Sequence, residues 1–125
     1  MSNQLYPALD LLNNKLKANS IYIEIIICGA FAIELHGIRR RDQTEDIDTH
    51  TNIKIEIKEL ILQVSLEIKI NKNWLNDQVS DIDLPKGSEK RFKEVKHWSN
   101  INAKVLSIED LICMKVSAWF SRGNV

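Results

Sequence analysis

The sequence predicts a small α/β (α+β) domain in which one mixed sheet packs against helices. Strand-like segments rich in β-branched residues alternate along the chain with longer segments whose apolar residues recur at helical spacing. Residues 21–27 hold five isoleucines in seven positions, a composition typical of a strand that is covered on both faces, as in mixed or parallel sheets. The chain has 125 residues, so we expect a single domain over residues 1–125.

The composition excludes several classes of protein. The chain carries 17 basic and 17 acidic residues, which argues against general nucleic-acid binding because that needs a basic excess. Two cysteines, Cys28 and Cys113, are too few for a disulfide scaffold and predict free thiols in the reducing cytoplasm. The longest apolar run, residues 25–33, is far shorter than the ~20 residues that span a bilayer. We therefore expect no membrane segment.

The first part of the chain predicts a helix, a strand and a short helix. Leucines at helical spacing predict a helix over residues 7–17, and Pro7 suits its first turn. The strand over residues 21–27 ends at Cys28-Gly29-Ala30. A short helix is predicted next, over residues 30–35.

The middle of the chain predicts a loop, a strand and a helix. Seven consecutive polar positions at residues 39–45 predict a surface loop, and residues 46–49 predict a second strand. Residues 53–68 fit two patterns: isoleucines alternate with charged residues at the start, as in a strand, but the apolar residues of the whole window recur at helical spacing. We expect a helix there, followed by a loop-rich stretch over residues 71–90.

The last part of the chain predicts a third strand and a final helix. Apolar and polar residues alternate over residues 101–105, which predicts the strand. Ser107 and Asp110 form a capping-box pattern at the start of a helix over residues 108–120. Lys115 falls on the apolar face predicted for this helix, together with Ile112 and Val116. Its ammonium group must therefore reach solvent, an acid or a ligand.

The string Asp46-Ile47-Asp48 is the strongest candidate for a functional site. Alternate side chains of a strand point to the same face, so Asp46 and Asp48 project together while Ile47 points into the core. Two carboxylates this close repel each other unless a cation lies between them. Mg²⁺ is the expected ion because it prefers oxygen ligands. The alternative is a pair of acids on an exposed strand edge.

The turn Cys28-Gly29-Ala30 is the second candidate feature. Where a glycine turn opens a helix, unpaired backbone N–H groups point outward and attract anions. A phosphate held at this turn, beside a metal ion on a neighbouring strand, would form a nucleoside triphosphate site. A glycine at a junction of strand and helix also occurs simply as a turn.

The segment from Cys28 to Asp48 resembles the nucleotidyltransferase superfamily, which has the polymerase β-like fold. The closer likeness is to small bacterial nucleotidyltransferase-like proteins, a group similar to the toxin subunits of AbiE-type toxin–antitoxin systems. The resemblance covers most of residues 21–120. It includes the segment Leu106-Ser107-Ile108-Glu109-Asp110, which leads into the final helix. The matching residues of the signature are Gly29, Ala32, His36-Gly37, Arg41, Thr44 and Asp46-Ile47-Asp48.

This resemblance implies Mg²⁺-dependent transfer of a nucleoside monophosphate from a nucleoside triphosphate to a hydroxyl acceptor. The implied acceptor is a tRNA end, a protein or a small molecule, and an antitoxin-like protein is the implied partner. The implied site residues are Asp46 and Asp48 for the metal, these two with Lys115 for catalysis, and Gly29, Ala30, Arg41 and Thr44 for nucleotide binding.

Three features differ from the family pattern. Cys28 stands where the first glycine of a pair is usual. No third carboxylate is evident, since Asp81-Ile82-Asp83 repeats the acidic string in a loop-rich stretch without a glycine turn. The chain ends just past Arg122, before a Lys-Asp element that relatives carry, so either the sequence is truncated at its C-terminus or the protein lacks that element. A second hypothesis therefore stands: a catalytically degenerate domain that binds a nucleotide or a partner protein.

Overall fold

A computed structural model of the chain describes residues 4–38 and 44–121, the last four of these by backbone alone. The predicted fold class is confirmed, with helices and one mixed sheet. The elements in chain order are α1 (Leu5–Ala18), β1 (Ile23–Cys28), α2 (Gly29–Leu35), β2 (Ile47–Thr49), α3 (Ile55–Ile68), β3 (Leu75–Asn76), β4 (Lys93–Val95), β5 (Ile101–Val105) and α4 (Ile108–Ser121).

The sheet has the strand order β3-β2-β1-β5-β4, so β1 lies at its centre. β1 runs parallel to β5, from the pair Ile23 and Ile101 to the pair Ile27 and Val105. On its other side β1 runs antiparallel to β2, and this pairing is limited to the end of the strand, where Cys28 lies opposite Asp48. The register therefore places the turn after β1 beside the predicted acidic residues.

The core explains the apolar composition of the central strand. Ile25 and Ile27 of β1 are buried, as are the leucines on the inner face of α1, which packs against α3. Trp74 is fully buried, and its indole N–H donates to the backbone oxygen of Ile61 in α3 at 2.9 Å. Because burial of a polar N–H requires a partner, this hydrogen bond fixes the ring between α3 and the sheet.

The structure also differs from the sequence-based expectations. β3 and β4 lie in segments that the sequence predicts as loop or leaves unassigned. On α4 Leu111 is buried, whereas Ile112 and Val116, which the spacing places on the apolar face, are 59% and 47% exposed. The predicted apolar face is therefore wrong at these two positions. None of the helices in the described part of the chain is long and apolar enough to cross a membrane.

Candidate active site

The turn after β1 lies directly against the carboxylate of Asp48. Gly29 begins α2 with φ of +69°, a conformation that residues with a Cβ rarely adopt. A Cβ built at Gly29 would lie 2.6 Å from Oδ2 of Asp48. Glycine is therefore required here for its backbone conformation and for the close approach of the acid.

Asp48 is half-buried at the end of β2, and its surroundings disfavour a bare negative charge. Burial raises the pKa of Asp48 above its ordinary value, and the negative charge of Asp46 raises it further. A hydrogen bond from the side chain of Asn76, the neighbour on β3, opposes this shift in the pKa. A bound cation would remove the penalty that burial and Asp46 impose on the carboxylate.

Asp46 is exposed and directly precedes β2. The hydroxyl of Thr44 donates to the backbone oxygen of Asp46 at 3.1 Å and to its carboxylate Oδ1 at 3.4 Å. In the structure Thr44 therefore orders the turn that presents Asp46. The predicted nucleotide-binding residue Arg41 lies outside the described residues.

A cleft of about 640 Å³ opens beside the glycine turn and Asp48. Four of the predicted site residues line it: Gly29, Ala30, Asp48 and Lys115. Asp46 and Thr44 are not among the lining residues. The rest of the lining comes chiefly from residues 79 and 82–85 and from α4.

Asp83 lines the same cleft as Asp48, a placement that the sequence did not predict. Its acidic string, Asp81-Ile82-Asp83, was visible in the sequence, but it lies outside helices and strands. Only the path of the loop brings Asp83 to the cleft. The charged lining thus consists of two acids, Asp48 and Asp83, and one base, Lys115.

Two histidines near the site hydrogen-bond to backbone carbonyls. Nε2 of His50, two residues after Asp48, lies 2.6 Å from the carbonyl oxygen of Ile82. Nε2 of His36, at the end of α2, lies 2.7 Å from the carbonyl oxygen of Leu106. A carbonyl oxygen only accepts, so each Nε2 carries the proton and donates. His50 thus contacts a residue that lines the cleft, whereas His36 contacts the residue that follows β5.

Cys28, which replaces the usual glycine, leaves the turn open. Its side chain is buried, and its Sγ donates to the carbonyl oxygen of Ile26 at 3.6 Å. Burial, followed by the nearby charge of Asp48, raises the pKa of the Cys28 thiol to about 12. The thiol is therefore neutral at physiological pH and adds no further negative charge to those of Asp46 and Asp48.

An ion pair fixes the start of α4, the helix that carries Lys115. Arg91 donates to both carboxylate oxygens of Asp110, at 2.8 and 3.0 Å, and this contact lowers the pKa of Asp110 below its ordinary value. Ser107 Oγ accepts from the backbone N–H of Asp110 at 3.2 Å and donates to its carboxylate, which is the predicted cap in altered form. Arg91 also donates to the carbonyl oxygen of Lys86, so the chain leaving the cleft is attached to α4.

The donor set at the turn fits Mg²⁺ supported by a substrate. Asp46 and Asp48 offer hard oxygen ligands, and the negative charge of Asp46 helps to raise the pKa of Asp48. No group of three or more metal-ligating side chains is present within residues 4–38 and 44–121. Mg²⁺ is commonly held by one or two carboxylates together with substrate phosphates, so two protein carboxylates suffice for an ion that arrives with a triphosphate.

Comparison with known proteins gave one finding. A family model described as "Nucleotidyltransferase of unknown function (DUF6036)" matches residues 4–123. Comparison with curated proteins and with solved structures gave no match. The matched segment includes the glycine turn, the acidic string and the final helix, which are the three parts of the chain that carry the resemblance described above.

Proposed function

Because the chain belongs to the nucleotidyltransferase family DUF6036, we propose that it transfers a nucleoside monophosphate from a nucleoside triphosphate to a hydroxyl acceptor, with Mg²⁺ as cofactor. One observation carries the proposal. Asp48 Oδ2 lies so close to Gly29 that a Cβ there would be only 2.6 Å away, and both residues line a cleft of about 640 Å³. A phosphate at the turn and a metal at the acid would thus be neighbours.

The chain's own residues would act by binding and orienting the substrate. Asp46 and Asp48 would hold Mg²⁺, which when bound neutralises charge on the triphosphate. The turn at Gly29 and Ala30 would leave room for the phosphates beside Asp48. Lys115, exposed at the cleft, would supply a positive charge to the phosphates. Positioning and electrostatic stabilisation account for most of the rate in such reactions.

The charge of the cleft supports a compact acceptor. Two acids and one lysine line it among the described residues, and the other lining side chains are mostly apolar. This surface offers no basic track for a long nucleic acid, in line with the zero net charge of the chain. A small molecule, a protein hydroxyl or one tRNA end contacted locally remain the candidate acceptors. The antitoxin-like partner is a proposal that rests on the AbiE-type resemblance alone.

Transfer of labelled nucleotide tests the proposal. The protein is incubated with Mg²⁺, α-labelled nucleoside triphosphates and a cell lysate, and labelled products are separated. We expect Asp48→Asn to reduce labelling by about 100-fold or more. The matched control is Asp81→Asn, which also removes one acid but lies outside the cleft lining, and we expect it to label like the wild type. Equal labelling by wild type and Asp48→Asn would refute the proposal.

A catalytically degenerate domain is the second candidate function. It is favoured by the finding that residues 4–38 and 44–121 contain no three-acid metal cluster. A degenerate domain that still binds nucleotide predicts a thermal shift with Mg²⁺ and a triphosphate but no labelled product in the lysate, and one that binds only a partner protein predicts neither signal. An active enzyme gives both signals, so the two measurements together separate the candidates.

A further inference from the structure

We propose that His50 is a positioning residue that holds residues 79–85 in place as one wall of the cleft that Asp48 also lines. The part of this inference that concerns substrate binding rests on the proposed function, whereas the attachment of residues 79–85 does not. The supporting contact is the hydrogen bond from Nε2 of His50 to the carbonyl oxygen of Ile82, 2.6 Å long. Ile82 directly precedes Asp83, and both residues line the cleft.

Residues 79–85 contain no helix or strand. Val79 and Leu84 pack against the core, and backbone hydrogen bonds join Ser80 to Asp77 and Pro85 to Ser88 at the ends of the segment; the part between them depends on individual attachments. Within the segment, the N–H of Ile82 donates to the carbonyl oxygen of Val79, which shapes a local turn only. The flanking residues are anchored separately: Asp77 accepts from the backbone N–H of Ile53, and Lys86 is held by Arg91. Among the described residues, no side chain other than His50 hydrogen-bonds to residues 79–85.

His50 itself is fixed relative to Asp48. Its backbone N–H donates to the carbonyl oxygen of Ile26 in β1 at 2.8 Å, which continues the pairing of β1 with β2. The side chain is half-buried, and its Nε2 connects the strand that carries Asp48 to the segment that carries Asp83. We expect this contact to contribute to the width of the cleft between these two acids.

The wall held by His50 is suited to the apolar part of a nucleotide. Its lining side chains are Val79, Ile82, Leu84 and Pro85, with Asp83 as the charged member. The same cleft offers Asp48 and the glycine turn for charged groups. If the wall moves away, a substrate loses its contacts with these side chains, and the apparent affinity falls with the fraction of molecules in which the wall is in place.

Two substitutions of His50 separate positioning from general stability. His50→Phe keeps a ring but removes the donor, whereas His50→Gln replaces Nε2 by an amide NH₂ at a similar distance from the backbone. The control is His36→Phe, which removes an equivalent hydrogen bond, 2.7 Å long, to the carbonyl of Leu106. The first measurement is amide hydrogen exchange of residues 79–85 in the free protein. The second is the affinity for an equimolar mixture of the four α,β-methylene nucleoside triphosphates with Mg²⁺.

We expect His50→Phe to speed exchange of residues 79–85 by about five- to tenfold, the factor expected for one lost hydrogen bond. His50→Gln should restore slow exchange, and His36→Phe should leave this segment unchanged. We also expect the nucleotide mixture to bind more weakly to His50→Phe than to His50→Gln. Unchanged exchange in His50→Phe, or equal acceleration in His36→Phe, would overturn the inference. A wild type that binds no nucleotide would instead overturn the proposed function, while the exchange comparison still decides the role of His50.

Discussion

Replacing Gly29 by alanine tests the close approach on which the candidate site depends. Gly29 has φ of +69°, and a Cβ there would lie 2.6 Å from Oδ2 of Asp48. A residue with a Cβ pays about 1–2 kcal/mol for this backbone conformation. Displacing the Asp48 side chain breaks its hydrogen bond with Asn76, which costs about 1 kcal/mol more. We expect the free energy of unfolding, measured by urea denaturation, to fall by about 2–3 kcal/mol.

Gly37→Ala is the matched control for this experiment. Gly37 has φ of +81°, and nothing lies within 4 Å of a Cβ built there, so its substitution carries the backbone cost alone, about 1–2 kcal/mol. The additional loss in Gly29→Ala then measures the collision with Asp48. This additional loss should vanish when Gly29→Ala is combined with Asp48→Ala. Equal losses in the two glycine variants, or an additional loss that survives without Asp48, would refute the geometry of the site.

Three further predictions concern single groups around the cleft. The pKa of Asp48 is raised in the folded protein. The free energy of unfolding without Mg²⁺ should therefore fall as pH rises from the unfolded pKa of Asp48 through its folded pKa. Urea denaturation at several pH values should show that Asp48→Asn removes this decline, and an unaltered pH profile would contradict the prediction. Ser107→Ala should lower the free energy of unfolding by about 1 kcal/mol, because it removes the cap on the N–H of Asp110. An unchanged free energy of unfolding in urea denaturation would show that the cap is not formed. A disulfide reagent at mildly alkaline pH should modify the exposed Cys113 at once. The same reagent should modify the buried Cys28, whose pKa is about 12, only after unfolding. Fast modification of both thiols would disprove the burial of Cys28.

The elements that the sequence predicted are those with a strong local signal. The leucine spacing of α1 and the alternation in β5 follow directly from burial of one face, and both elements lie where they were expected. The ambiguous segment around residues 53–68 is helical at Ile55–Ile68, because its buried residues follow the helical spacing from Ile57 onward. β3 and β4, with two and three residues, are too short to carry a period and form only because a neighbouring strand is present.

The same distinction applies to the candidate site. Gly29 and Asp48 belong to short sequence motifs, and strand pairing brings them together as the motif implies. The positions of Asp83 and His50 at the site depend on the contact between His50 and Ile82, which are 32 positions apart in the sequence. This contact follows from the path of a loop. The apolar face of α4 was assigned from spacing alone, which does not determine how deeply a helix at the side of a domain is buried.

The two margins of the sheet determine how another protein chain can approach this one. At one margin β3 has two residues, and at the other β4 has three, of which Lys93 and Glu94 are charged and exposed. Short, charged edge strands oppose the addition of a further strand from another molecule. Self-association through backbone pairing, the usual route to aggregation of open sheets, is therefore disfavoured. We therefore expect a protein that binds this domain to recognise its side chains.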